Sequence, residues 1–137
     1  MSLELGEFCM REVEYQLKKF EKALNRLKEA LNADVDQSIL IDAVIQRFEF
    51  TYEMAWKAIK AVLKYFGERC NSPRSCIKSA YEKGWIEDEE AWLALLETRN
   101  LTSHTYNEAI AKKVFELIQE KVSLFDELLN KLSDLTE

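Results

Sequence analysis

The chain has 137 residues, 47% of them hydrophobic, and its formal net charge is -6 at pH 7. This length and composition supply one hydrophobic core, so we expect a single domain over residues 1–137. The acidic balance argues against a general nucleic-acid coat, because such proteins bind by neutralising phosphates.

Targeting and metal-binding signals are also missing from the sequence. No apolar run approaches the roughly 20 residues of a membrane span, and the N-terminus lacks the pattern of a signal peptide. We therefore expect a cytoplasmic protein without a membrane partner. Cys9, Cys70 and Cys76 lack metal-ligand spacing, so we expect no metal and no other cofactor. Cys70 and Cys76 could meet across a loop, although a cytosolic chain usually keeps them as thiols.

Apolar periodicity predicts two long helices in the first half of the chain. The first spans about residues 5–31 and carries an apolar seam with alternating steps of four and three. The second spans about residues 38–66, and Gly67 is its stop signal. Its central segment, residues 47–57, has apolar side chains on more than one side. Core packing explains that segment by itself, and contact with a partner chain is the open alternative.

A short helix is predicted next, between Gly67 and Gly84. Ser72 and Pro73 suit its cap and its first turn. The local charge balance of this region is positive, with Arg69 and Arg74 among the basic residues. That balance fits either a solvated loop or a local basic patch.

Two further helices complete the predicted fold. One opens with the acidic residues 87–90, which favour a helix N-terminus, and ends at Arg99. The other is capped by Asn107 or by a capping box from Thr105, and its seam passes through Lys121 or Val122 towards Leu135. The prediction is an all-α protein, an antiparallel four-helix bundle with an additional short helix.

The polar segment between those last two helices, residues 97–106, contains the single histidine and is called the corner below. Its candidate site residues are Arg99, Asn100, His104 and Tyr106. An arginine fork binds phosphate, and a histidine gives and takes protons near neutral pH. Together they suffice for metal-free cleavage of RNA, in which the 2'-hydroxyl attacks the phosphate. The structural alternative is that Arg99 pairs with an acid and His104 caps a helix end.

Acid–base cleavage at the corner also requires a particular assembly of the chains. One histidine cannot serve as base and acid in the same step. A two-fold dimer that brings two corners together supplies both groups. The chemistry therefore predicts a homodimer with the corner at its interface.

Several motifs of the chain resemble those of a known family. Residues 99–106, Arg-Asn-Leu-Thr-Ser-His-Thr-Tyr, resemble the Arg-x-x-x-x-His-x-Tyr signature of HEPN-domain proteins. Within that family the chain is similar to the HepT-like branch of nucleotidyltransferase substrate-binding proteins. Residues 47–57 resemble the second signature of that branch, and Ser-Pro-Arg at 72–74, Gly-Trp-Ile at 84–86 and Trp-Leu at 92–93 fall where it has them.

The resemblance implies a helical dimer built around the corner and a partner, a small nucleotidyltransferase of the DNA-polymerase-beta type. Dimer and partner together could form a heterotetramer. In one account of such pairs, this subunit is a toxin ribonuclease with Arg99 and His104 catalytic, and the transferase adds AMP to Tyr106. Asn100 then belongs with Tyr106 to the modified or substrate-binding part of the site. In the other account, the subunit is non-catalytic and binds a nucleotide or another substrate for the transferase.

Overall fold

The computed structural model describes residues 2–136 of the chain, with side chains from residue 6 onward. This part of the chain is all helical, which confirms the predicted fold class. Its elements in order are α1 (Ser2–Leu31), α2 (Gln37–Tyr65), α3 (Pro73–Glu82), α4 (Glu89–Leu101), a 3-10 turn (Thr102–His104), α5 (Glu108–Lys121) and α6 (Ser123–Leu135). None of the helices in the described residues combines the length and apolar character needed to cross a bilayer.

Helices α1 and α2 form an antiparallel pair along the length of the molecule. Near one end, Lys64 Nζ lies 3.2 Å from a carboxylate oxygen of Glu12. Near the other end, Arg47 donates a hydrogen bond of 2.6 Å to the carbonyl of Arg26. Between these contacts the buried Thr51 hydroxyl lies 3.1 Å from the Ala23 carbonyl, so the two backbones approach closely in the middle.

The centre of the core is an aromatic cluster contributed by four helices. The Phe125 ring of α6 lies 6.2 Å from Phe20 of α1, measured between ring centroids. It lies 6.1 Å from Phe48 of α2 and 5.6 Å from Trp92 of α4. Edge-on aromatic contacts of this kind add to the free energy of area burial. This cluster fixes α2 and α4 relative to each other, and those two helices supply the site described below.

Helix ends follow the predicted signals closely. Gly67 adopts a φ of 84°, a left-handed conformation in which glycine has no side-chain penalty, and α2 stops before it. Ser72 accepts a hydrogen bond from the Ser75 amide and caps α3. Asn107 caps α5 by accepting from the Ala109 and Ile110 amides, as predicted.

Two details of the chain differ from the sequence-based expectation. The last helix is divided at Val122, where Phe125 donates to the Val122 carbonyl three residues earlier and the helix tightens locally. The expectation of free thiols is wrong for Cys70 and Cys76, which form a disulfide. The turn after α2 brings their α-carbons to 5.0 Å, within the usual range for such a bond.

Candidate functional site

The corner joins α4 to α5, and its own hydroxyl groups shape it. Thr102 donates a hydrogen bond of 2.6 Å to the Arg99 carbonyl, and Ser103 donates one of 3.0 Å to the Asn100 carbonyl. Thr105 donates in the same way, over 3.0 Å, to Thr102. These bonds satisfy carbonyls that a helix end leaves without partners. The chain therefore leaves α4 through a tight 3-10 turn that ends at His104.

Arg99 is held from two directions near the end of α4. Its Nη1 atom donates to the Thr102 hydroxyl over 2.9 Å. The same atom lies 3.5 Å from Glu49 Oε2 on α2, and both side chains are about one third exposed. A guanidinium has five N–H donors, so these two contacts leave donors for a further anion. Arg99 thus pairs with an acid, as the structural alternative supposed, and keeps binding capacity as well.

His104 and Tyr106 extend from the far end of the turn. Their ring centroids are 6.1 Å apart, and the rings meet edge to face. Tyr106 is 84% exposed, and His104 and Asn100 are also exposed. Within the described residues, no hydrogen bond or ion pair connects Arg99 with His104 or Tyr106. The structure therefore places Arg99 and Asn100 in the last turn of α4, His104 at the end of the 3-10 turn and Tyr106 two residues later, on an open surface of the single chain.

Glu49 is a site residue that the sequence reasoning did not identify. It lies in the segment 47–57, which stood out for its aromatic residues, and nothing local distinguishes its carboxylate from its neighbours. Its role depends on the packing of α2 against α4. The nearby Glu53 accepts a hydrogen bond of 3.0 Å from Trp56 and lies 3.1 Å from Lys57.

The charge of Arg99 also affects the pKa values of titratable side chains on α2. Partial burial acts to raise the pKa of Glu53. Hydrogen bonds from Trp56 and Lys57, and the positive charges of Lys57 and Arg99, act in the opposite direction and outweigh burial. The pKa of Glu53 is therefore lowered. Burial raises the pKa of Tyr52 well above its ordinary value, against the smaller effects of the Arg74 and Arg99 charges. The charge of Arg99 thus acts on two titratable side chains of α2.

No group of residues in the described chain has the composition and proximity of a metal site. At least three His, Cys, Asp or Glu side chains would be needed, and no such group occurs among these residues. A surface depression of about 540 Å³ is lined by Trp85, Trp92 and Lys131, among others, and none of the corner residues lines it. The chemistry available at the corner is that of a guanidinium, an imidazole and a phenol.

Comparison with known proteins relates most of the chain to one family. The family model "Nucleotidyltransferase substrate binding protein like" matches residues 15–134. A probable ribonuclease HepT of Haemophilus influenzae is 30% identical over 95 residues, which are 66% of this chain and 65% of that protein. The chain therefore spans slightly less than two thirds of the length of that relative.

Two solved structures resemble the fold. A protein of Thermus thermophilus is 37% identical, with a TM-score of 0.76, over 82% of this chain and 98% of that one. A Haemophilus influenzae protein is 23% identical, with a TM-score of 0.65. Its structure is described as revealing the fold of a substrate-binding domain of a nucleotidyltransferase. That match covers 90% of this chain and 98% of the other, and it concerns the fold alone. Because the family model covers most of the chain, and because its motifs and helical fold agree, the protein belongs to the family of nucleotidyltransferase substrate-binding-like proteins.

Proposed function

We propose that this protein is the partner subunit of a small nucleotidyltransferase of the DNA-polymerase-beta type and cleaves RNA in the cytoplasm without a metal ion. Arg99 and His104 are its catalytic residues, in a cleft formed by two copies of the chain. The transferase controls the cleft by adding AMP to Tyr106, next to Asn100. Two copies of each subunit form a heterotetramer.

The geometry of the corner is the observation that carries this proposal. Arg99 is oriented by Glu49 and Thr102 and retains free donors. His104 and Tyr106 are exposed on the same turn. Phosphate-ester cleavage uses an oriented cation and an accessible imidazole, and the corner offers both within six residues of the chain. The name of the Haemophilus influenzae relative, a probable ribonuclease, supports the same activity.

The reaction needs one histidine from each copy. The first His104 takes the proton of the 2'-hydroxyl, whose oxygen attacks the adjacent phosphorus. Arg99 stabilises the negative charge that develops on the phosphorane oxygens. The bond from phosphorus to the 5'-oxygen then breaks, and the His104 of the second copy gives that oxygen a proton. The products are a 2',3'-cyclic phosphate and a free 5'-hydroxyl.

Cleavage of a labelled single-stranded RNA tests the proposal. We expect the wild type to cut in the presence of EDTA and to leave 2',3'-cyclic phosphate ends. Arg99→Ala and His104→Ala should each lower the rate at least a hundredfold, since each removes a catalytic group, while the oligomeric state is unchanged. Ser133→Ala, a substitution on α6, is the matched control. A rate that collapses with chelator, or that survives His104→Ala, would overturn the mechanism.

A non-catalytic, substrate-binding role is the second candidate. The description of the family and that of the Haemophilus influenzae domain both favour it. In this case the corner binds a nucleotide or another substrate of the transferase through Arg99 and Asn100. Titration calorimetry with AMP and ATP, together with the RNA cleavage assay, separates the two candidates. The substrate-binding role requires that the wild type binds a nucleotide and cuts no RNA.

A further inference from the structure

A groove at the end of α2 is positively charged, although the chain as a whole is acidic. Residues 57–83 contain seven basic and two acidic residues, while the formal net charge of the whole chain is -6. A depression of about 250 Å³ at the last turns of α2 and the loop before α3 is lined by Lys60, Lys64, Glu68 and Arg69. Part of the positive balance noted in the sequence is therefore concentrated at one groove, and the corner residues do not line it.

The carboxylate in this groove is paired, whereas two of its cations are not. Glu68 is the one acid among the lining residues, and its carboxylate contacts Lys83. Lys64 pairs with a glutamate of α1. Lys60 and Arg69 are exposed and, among the described residues, make no ion pair or side-chain hydrogen bond. The groove therefore presents two free positive charges to an anionic ligand.

The wall of the groove next to Arg69 is held in place. Cys70 lines the groove, is buried, and is bonded to Cys76 of α3. The following residue, Asn71, donates a backbone hydrogen bond of 3.2 Å to the Ser75 hydroxyl. The backbone on the C-terminal side of Arg69 is thus anchored to α3. Because this segment is already ordered, less conformational entropy is lost when Arg69 binds a ligand.

The groove and the corner are served by the same side of α2. Lys60 follows Glu49, the ion-pair partner of Arg99, by three helical turns, so the two side chains extend from nearly the same side of the helix. Three turns correspond to roughly 16 Å along the helix axis. A stacked strand of nucleic acid has one phosphate per about 3.4 Å, so phosphates about five nucleotides apart span this distance. One strand could therefore contact the corner and the groove at once.

We propose that Lys60 and Arg69 bind backbone phosphates of an RNA strand that extends along α2 from the corner. This inference rests on the proposed function and specifies its substrate, which is a single strand of about six nucleotides or more and not a dinucleotide or a free nucleotide. Lys60 and Arg69 are binding residues. Their contacts are to phosphates, so they set the affinity and the position of the strand and do not read its bases.

Binding of a strand that cannot be cleaved tests the groove. The probe is a labelled single-stranded DNA of about twelve nucleotides, which has the same phosphates but lacks the 2'-hydroxyl nucleophile. The double variant Lys60→Gln, Arg69→Gln is compared with the double variant Lys18→Gln, Lys22→Gln, which removes an equal charge from two exposed lysines of α1. We expect the groove variant to raise the Kd at least about tenfold and to reduce the slope of log Kd against log salt by about 1.4, or about 0.7 for each lost phosphate contact. The α1 variant should change the Kd less than about twofold.

Cleavage of RNAs of two lengths tests the path along α2. With an RNA of about twelve nucleotides, the groove variant should raise KM about tenfold and leave kcat within about twofold, because the lost contacts are the same in the ground state and in the transition state. With a dinucleotide, which is too short to reach the groove, KM and kcat should equal those of the wild type. Equal effects of the groove variant on both lengths would overturn the proposed path.

The DNA probe keeps this inference separate from the ribonuclease proposal. Groove-dependent binding of DNA by a protein that cuts no RNA would support the phosphate site and refute the ribonuclease. Equal effects of the two double variants on DNA binding, or no binding of DNA by the wild type, would overturn the site even if RNA is cut. A groove variant that binds DNA normally but no longer retains the transferase would assign the groove to an acidic surface of that partner and overturn the RNA site.

Discussion

Glu49 connects the corner to α2 through its ion pair with Arg99. Its carboxylate on α2 contacts Arg99 near the end of α4, and both side chains are partly exposed. An ion pair with this exposure contributes little to folding, about 0–1 kcal/mol. Its importance at this site is orientation, since a guanidinium fixed at one edge presents its other donors in a constant direction.

Glu49→Gln should therefore affect activity more than stability. We expect the rate of RNA cleavage to fall about tenfold, because misplacing a catalytic group slows reaction more than it weakens binding. The free energy of unfolding should change by less than about 1 kcal/mol. Glu97→Gln, an exposed acid two residues before Arg99, is the control. A faster Glu49→Gln enzyme would mean that Glu49 restrains Arg99 instead of positioning it.

Tyr106 is the residue best placed to accept a nucleotidyl group. It is 84% exposed, whereas Tyr52 is 1% exposed. Its phenol oxygen would attack the α-phosphorus of ATP and release pyrophosphate. The attached AMP would bring a negative charge and a bulky base to the corner, and would thereby exclude RNA.

Incubation with the partner transferase, ATP and magnesium tests this prediction. Intact mass should increase by one or more AMP units, and peptide mapping should place them on Tyr106. Tyr106→Phe should abolish the increase, while Tyr81→Phe, which removes another exposed tyrosine, should not. An unmodified protein alongside a demonstrably active transferase would exclude Tyr106 as the acceptor.

At the scale of elements, a disulfide closes the link between α2 and α3. Cys70 and Cys76 are both buried, and their disulfide closes the short loop in front of α3. Closing a loop of this length stabilises a fold by roughly 2 kcal/mol, because it restricts the unfolded chain. The free cysteine, Cys9, is buried on α1.

The disulfide makes a prediction about thiol labelling and stability. Alkylation in denaturant without reductant should modify only Cys9, and alkylation after reduction should modify Cys70 and Cys76 as well. The variant with both Cys70→Ser and Cys76→Ser should lose roughly 2 kcal/mol of unfolding free energy in urea. Cys9→Ser, which leaves the bond intact, is the matched control for labelling. Modification of all the cysteines before reduction would contradict the bonded state.

At the scale of the whole molecule, the single chain leaves its proposed site open. Tyr106 is largely exposed at the corner, and Phe50, on the side of α2 away from the core, is 52% exposed. Exposed aromatic side chains are common at surfaces where subunits meet. The ribonuclease mechanism also requires a second histidine, so we expect a two-fold homodimer with the two corners close to its axis.

Light scattering and a cross-link test this arrangement. The purified protein should be a dimer at micromolar concentration without its partner. Ser103→Cys, at an exposed position in the corner, should give a covalent dimer under mild oxidation, and Asn130→Cys on α6 should not. A monomer would refute the dimer. A dimer that Ser103→Cys cannot cross-link would move the interface away from the corner and remove the basis for a shared site.

The sequence by itself determined the helices up to the corner, several of their ends and the corner, but not the division of the last helix at Val122. Apolar periodicity located α1 and α2, and Gly67 and Asn107 marked helix ends, because these signals act between residues three to five positions apart. The motif from Arg99 to Tyr106 identified the family for the same reason: its residues are close in the chain, at the junction of α4 and α5.

Only the tertiary structure decided which distant residues join that turn. Glu49 contacts Arg99 across 50 positions of the chain, and the charges of Arg74 and Arg99 act on the pKa of the buried Tyr52, whose burial is the larger effect. These relations depend on how α2, α3 and α4 are rotated about their axes and packed around Phe125. Periodicity shows which side of a helix is apolar, but the partner that each polar side chain meets depends on the fit of all the buried side chains together.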